Sequence, residues 1–209
     1  MADAPLLHLA SASPRRREIL ASLGIRHTWK GVDVDETPMQ GEPAGELALR
    51  LALAKARASR AERAAEAVIL GADTVVTLDD RLFGKAASEE EALFMLSRLS
   101  GREHTVLTGV ALSTMEGEIS TLAQSSVRFR TIEPAEAIAY WRSGEPAGKA
   151  GAYAIQGIGG IFVAALSGSY SCVVGLPIYE TAGLLRQAGF DLLRSPRPAH
   201  RETVAGDMA

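Results

Sequence analysis

Leu6-Leu7-His8-Leu9-Ala10-Ser11-Ala12-Ser13-Pro14-Arg15-Arg16-Arg17-Glu18-Ile19-Leu20 reads as three pieces in succession. Leu6, Leu7 and Leu9 make a short apolar strand, Ala10 to Ser13 a turn of small residues, and the rest a helix. Ser13 suits the N-cap, and Pro14 the first helical position, where a missing N–H costs nothing. Arg15, Arg16 and Arg17 then crowd the positive end of the helix dipole, where acidic residues are favoured. A capping box would want Glu or Gln at position 16. Each such cation costs ~0.3–1 kcal/mol at an exposed helix end, and a bound anion reverses the sign. The stretch therefore reads as a phosphate site. The same residue types are also compatible with a solvated basic helix end.

The chain has 209 residues, 47% of them hydrophobic, which is enough for a real core. A net charge of −3 leaves no broad basic field for duplex DNA or RNA, so any polyanion contact is local. The lone cysteine, Cys172, excludes an intrachain disulfide and a cysteine zinc cluster; its apolar surroundings suit a buried small hydrophobe. No apolar stretch approaches the ~20 residues of a membrane span, and the N-terminus lacks signal-peptide character. A cytoplasmic protein is expected.

Working outward, Gly24 stops the first helix and Ile25 to Val32 reads as a strand. Glu46 to Glu66 reads as a long helix with Leu47, Leu51, Ala54 and Ala58 on one face and Lys55 near its edge. Ala67 to Leu70 suits a buried strand, ending in Gly71-Ala72-Asp73-Thr74 before Val75 to Leu78. Ser88 and Glu91 spell a capping box ahead of a helix with Leu93, Leu96 and Leu99 inside. Strands follow at His104 to Ser113 and Ile119 to Thr131, then a helix from Pro134 to about Ser143. Ile161 to Leu166 and Tyr170 to Val174 read as a hairpin around Ser167-Gly168-Ser169, and Ile178 to Ala188 as the last helix. From Arg194 the composition becomes that of a disordered tail. The pattern is that of an α/β fold with a mixed β-sheet.

Spacing rules out the common nucleotide loops. Gly84-Lys85 is followed by Ala86, which breaks the Walker pattern, and Phe162 occupies the third glycine position after Gly157 and Gly159. Asp73, closing a buried strand, suits a metal or a water at the strand's carboxyl end; a turn-forming aspartate has the same local signature. Asp33, Asp35 and Glu36 read as metal ligands or as a solvated acidic loop. Lys55 and Lys85 each also read as solvated lysines. Gln156, among glycines, carries a donor and an acceptor like the edge of a nucleobase, or bonds local backbone. The four histidines have no metal-ligand spacing.

Together, Ser11-Ala12-Ser13-Pro14-Arg15-Arg16, Gly71-Ala72-Asp73-Thr74, Gly84-Lys85, Lys149-Ala150-Gly151-Ala152-Tyr153 with Gln156-Gly157, Gly168-Ser169-Tyr170 and Val174-Gly175-Leu176-Pro177 resemble the Maf family of nucleoside triphosphate pyrophosphatases. The likeness runs from about Leu6 to Leu185. It implies an elongated mixed β-sheet flanked by helices, related to the inosine-triphosphate pyrophosphatases, with residues 1–193 as one catalytic domain in two lobes around a cleft. It also implies hydrolysis of the α–β phosphoanhydride of a nucleoside triphosphate with a divalent cation (Mg2+, Mn2+ or Co2+). Carried over by motif, Ser11, Arg15, Arg16, Lys55 and Lys85 would surround the triphosphate and Asp73 would accept a proton. Glu36 and Asp73 would contact the metal. Arg15, Thr74 and Gln156 match the subgroup acting on dTTP and UTP, with modified pyrimidine nucleotides as a further class. The alternatives are a 7-methyl-GTP-type pyrophosphatase, whose members carry an aromatic residue where Arg15 stands, and a non-catalytic nucleotide-binding regulator of septum formation. No membrane partner is implied, and a homodimer is compatible with the likeness. Gly84 replaces a bulkier residue, with little consequence expected.

Overall fold

A computed structural model describes residues 6–61 and 67–193. Its elements are β1 (Leu7–Leu9), α1 (Pro14–Ser22), β2 (His27–Trp29), α2 (Ala44–Arg60), β3 (Val68–Leu78), β4 (Arg81–Phe83), α3 (Glu89–Leu99), β5 (Glu103–Ser113), β6 (Glu118–Phe129), α4 (Pro134–Arg142), a 3-10 turn (Ile158–Phe162), β7 (Val163–Ser167), α5 (Tyr170–Val174) and α6 (Ile178–Gln187). The strands form one mixed seven-stranded sheet in the order β2-β1-β3-β5-β6-β7, with β4 also on β3. β1 runs parallel to β2 and β3; the other pairings are antiparallel. The expected α/β class with a mixed sheet flanked by helices is what is found.

β3 is the central strand, and it corrects one expectation. It runs unbroken from Val68 to Leu78, so Asp73 lies in mid-strand and neither closes a strand nor forms a turn. Gly71 is there for packing. A Cβ at Gly71 would overlap the Ala52 carbonyl of α2, and one at Gly109 the Ala48 carbonyl. These two glycines form a notch that seats α2 against β3 and β5. The helix answers with Leu47, Ala48, Leu51, Ala52, Lys55, Ala56 and Ser59, which are buried. Ala54 and Ala58 are only half-buried, so the face is rotated from the one expected and Lys55 sits within it, 7% exposed.

One edge of β3 is paired by β5 along residues 69–77. The other is paired by β1 at Val68 to Leu70 and by β4 at Val76 to Leu78. Between them, residues 71 to 75 present an open edge. Side chains alternate across a strand, so Asp73 points to the α2 face and Thr74 to the opposite one. Both remain reachable through this opening.

The expected hairpin near the end is the second correction. Tyr170–Val174 is a helical turn, because the Ser169 hydroxyl accepts the Cys172 N–H and caps it. Cys172 is fully buried, as expected of a small hydrophobe. At α3, Ser88 accepts the Glu91 N–H, but Glu91 reaches back to the Ala87 N–H instead of completing the box. The tail from 194 and residues 62–66 of the expected long helix lie outside the described residues. Among the described residues, no helix is long and apolar enough to cross a membrane.

Beyond Val76, a core of Phe83, Leu96, Val106, Val127, Phe129 and Phe162 encloses an aromatic trio. His104, Phe129 and Tyr153 meet edge to face at 4.8–5.5 Å, and His104 Nε2 lies 3.0 Å from the Tyr153 hydroxyl. Burial pulls the His104 pKa down to about 4. The unfolded chain, with its histidine near ~6.5, takes up this proton first. Stability from this group is therefore complete above pH ~6.5 and is lost as pH falls toward 4, on the order of 3 kcal/mol in all. Urea titrations at pH 7.5, 6 and 5 should show that decline, and His104→Phe should flatten it between pH 6.5 and 5. An unchanged slope in the variant would assign the decline to other groups.

Candidate active site

β1 ends where the chain turns away from β3: Ala10 N–H makes a last bond to the Leu70 carbonyl. The Ser11-Ala12-Ser13 turn then opens a cleft of about 290 Å³ against the free edge of β3. Ser11, Arg15, Arg16, Glu36, Lys55, Asp73, Thr74, Lys85 and Gln156 all line it. The chain thus brings these nine residues into one place, whereas Asp33 and Asp35, the other acidic candidates of that loop, do not line the cleft and Asp35 accepts the Thr37 N–H of its own loop. Lys149, Tyr153 and Gly175 line it too. With Arg15, Arg16, Lys55, Lys85 and Lys149 set against Glu36 and Asp73, the cleft is strongly cationic in a chain whose net charge is −3.

Arg16 is a clamp. Its Nε donates to the Gly175 carbonyl at 2.7 Å, Nη1 to Ser11 Oγ and Nη2 to Thr74 Oγ1, both at 3.2 Å. Three of the five guanidinium N–H groups are used, leaving two for the cleft. Thr74 is held in turn by Thr108 at 2.9 Å, so its hydroxyl fixes Arg16. The Ser13 hydroxyl makes no capping bond, and no acidic residue occupies the first turn of α1. The helix end is thus left for an anion. Arg17 instead stacks over Trp29, 4.0 Å from the ring centroid.

Arg15 behaves differently. Its Nε is buried without a partner, and among the described residues its guanidinium makes no hydrogen bond. Burial lowers its pKa, while Glu18, Glu145 and Tyr140 oppose that. A half-buried cation with unused donors is built to meet a ligand.

The carboxylates and lysines form a chain. Lys55 Nζ donates to Asp73 Oδ1 at 2.5 Å and to Glu36 Oε1 at 2.7 Å; Lys85 Nζ donates to Glu36 Oε2 at 2.6 Å. Burial pushes the Glu36 pKa up, but the two lysines outweigh it and bring it down to about 2. The loop carrying Glu36 is shaped by Arg50 of α2, which donates to Glu42 and to the Thr37 carbonyl. Lys85 is placed by a β-bridge to Ala150, which brings the segment carrying Lys149 to the cleft as well. A Cβ at Gly84 would meet nothing within 4 Å, in keeping with the small effect expected there.

Gln156 is exposed on the rim, and its amide bonds no local backbone among the described residues. Sequence reasoning missed the roles of Lys149, Tyr153 and the Gly175 carbonyl. All three stand in quoted motifs, but a backbone carbonyl leaves no residue-type signal of what it bonds.

A family model described as Maf-like protein matches residues 6–188. A protein of Myxococcus xanthus named dTTP/UTP pyrophosphatase is 52% identical over 191 residues, covering 91% of this chain and 96% of its own. One of the same name from Methylococcus capsulatus is 49% identical over 188 residues, covering 90% and 93%. The solved Ham1 protein of Staphylococcus aureus is 16% identical, covering 59% of this chain and 71% of its own, at a TM-score of 0.41.

Proposed function

This chain belongs to the Maf family, and we propose that it is a nucleoside triphosphate pyrophosphatase that hydrolyses dTTP and UTP to the nucleoside monophosphate and pyrophosphate. The observation that carries this reading is the meeting of five cations, two carboxylates and the amide of Gln156 around one strand edge. Relatives about half identical over nearly their whole length bear the name dTTP/UTP pyrophosphatase.

Phosphoanhydride cleavage needs charge neutralisation and a positioned water more than covalent chemistry. Arg16, Lys55 and Lys85 would take the phosphate oxygens, with the first turn of α1 alongside. Asp73 would accept the proton of the attacking water as the bond to the pyrophosphate breaks. The donor set fits a hard divalent cation. Asp73 and Glu36 share one lysine, and among the described residues no group of three or more His, Cys, Asp or Glu could form a protein cage. That matches Mg2+ held by one or two carboxylates together with substrate phosphates. When bound, the cation supplies charge neutralisation and a more acidic water. The thymine or uracil base would lie toward Arg15 and Gln156.

Incubation with dTTP, UTP, CTP, GTP and 7-methyl-GTP plus Mg2+, Mn2+ or Co2+ tests the reading by pyrophosphate release. Turnover concentrated on dTTP and UTP is expected. Preference for 7-methyl-GTP would move the chain to the other substrate class, and no pyrophosphate from any of them would favour a binding regulator. Two variants sharpen the assignment. Arg15→Trp should change the ratio between UTP and 7-methyl-GTP, whereas Arg16→Ala should lower kcat/KM for all substrates alike, by roughly 10- to 100-fold for a lost charged contact. Equal losses from both would make Arg15 one more phosphate contact.

A further inference from the structure

Glu145 follows α4 and belongs to none of the motifs that mark the cleft, yet its carboxylate organises one wall of it. Oε1 accepts the Tyr140 hydroxyl at 2.6 Å and the Gly159 N–H at 2.9 Å; Oε2 accepts the Ile158 N–H at 2.9 Å. The Tyr140 oxygen in turn accepts the Ala154 N–H at 3.1 Å. Two side chains thus pin the backbone on both sides of Gln156. Gly157 and Gly159 are required by this arrangement. A Cβ on the first would overlap the Glu145 carboxylate, and on the second the Tyr140 hydroxyl. The same carboxylate is one of the charges acting on Arg15, which has unused donors.

A glutamine amide can read either of two opposite edges by turning half a circle. One orientation complements the N3–H and O4 of uracil or thymine; the other complements the N3 and N4–H of cytosine. Whichever way the amide turns, it can select a base only if the backbone carrying it holds it at the base edge, so discrimination depends in part on how firmly that loop is placed. We propose that Glu145, with Tyr140, is a positioning residue for base selection that fixes the Gln156 loop. This rests on the reading that the cleft takes a pyrimidine nucleotide.

The test is Glu145→Gln and Tyr140→Phe, assayed for kcat and KM with UTP and CTP, and titrated with both nucleotides for binding without the metal. In Glu145→Gln one carboxylate oxygen is replaced by an NH2 that faces a backbone N–H it can no longer accept from. The UTP-to-CTP ratio of kcat/KM should fall about tenfold, chiefly through a higher KM for UTP, with kcat changed less than about threefold. Tyr140→Phe keeps the ring in the core and should give a smaller fall in the same ratio, so it serves if Glu145→Gln does not fold. An unchanged ratio in folded variants, or equal losses on both nucleotides, overturns the role of Glu145 and leaves the pyrophosphatase reading intact. A wild type that binds UTP over CTP but releases no pyrophosphate, with that preference lost in the variants, sinks the catalytic reading and upholds Glu145. A wild type without base preference sinks both.

Discussion

Asp73→Asn should lower kcat for UTP by roughly 10²- to 10⁴-fold, the range a positioned general base contributes, while KM moves by less than about threefold. The substitution is nearly isosteric. Asparagine keeps an oxygen that can accept from Lys55 Nζ, now 2.5 Å from Asp73 Oδ1, so the packing under α2 survives. What it loses is the ability to take a proton. Steady-state rates of pyrophosphate release, with thermal unfolding as a control for folding, make the measurement. A variant with near-normal kcat would move the proton acceptor elsewhere. Glu36, whose Oε1 is bonded by the same Lys55 nitrogen at 2.7 Å, would then be the next carboxylate to replace.

The second large effect is expected from a residue that touches no ligand. Gly71→Ala should destabilise the fold by at least ~3 kcal/mol, because the new methyl overlaps the backbone of α2 at Ala52 and Ala56. For a chain of this length that corresponds to a fall in Tm of roughly 6–12 °C. Activity should fall as well, even where the variant is folded. The helix can relieve the overlap only by lifting from the sheet, and Lys55 would travel with it away from Asp73. Gly84→Ala is the control, since nothing lies within 4 Å of its Cβ position, and it should leave Tm and kcat unchanged. A Gly71→Ala protein with normal Tm would mean that the notch has slack.

Gly71 also shows where a single sequence stops being legible. Gly-Ala-Asp reads locally as turn chemistry, and the glycine is instead demanded by a helix distant in sequence. The same cause rotated α2. Its periodicity allows several faces, and Gly71 and Gly109 select the one carrying Ala48, Ala52 and Ala56. Tyr170 to Val174 misled for another reason: aromatic and β-branched residues favour strands, but one capping serine outweighed them over five residues. By contrast, the Arg-loaded start of α1 could be read from its conflict with the helix dipole, and it opens on the cleft as that conflict required. Lys85 is legible through its motif, and Lys55 through the family likeness. Their bonds to Asp73 and Glu36 depend on loop and sheet geometry that no local pattern encodes.

The open edge of β3 has a consequence for self-association. An unpaired strand edge is a template on which a second chain can add a strand and begin to aggregate. Here the gap between the end of β1 and the start of β4 spans residues 71 to 75, about 17 Å of strand. An incoming strand would have to stop against a paired neighbour at each end. It would also have to push past Arg15, Arg16, Lys55 and Lys85, which repel the same edge of another copy. The chain can thus leave its central strand open to a small anion while keeping it closed to its own kind.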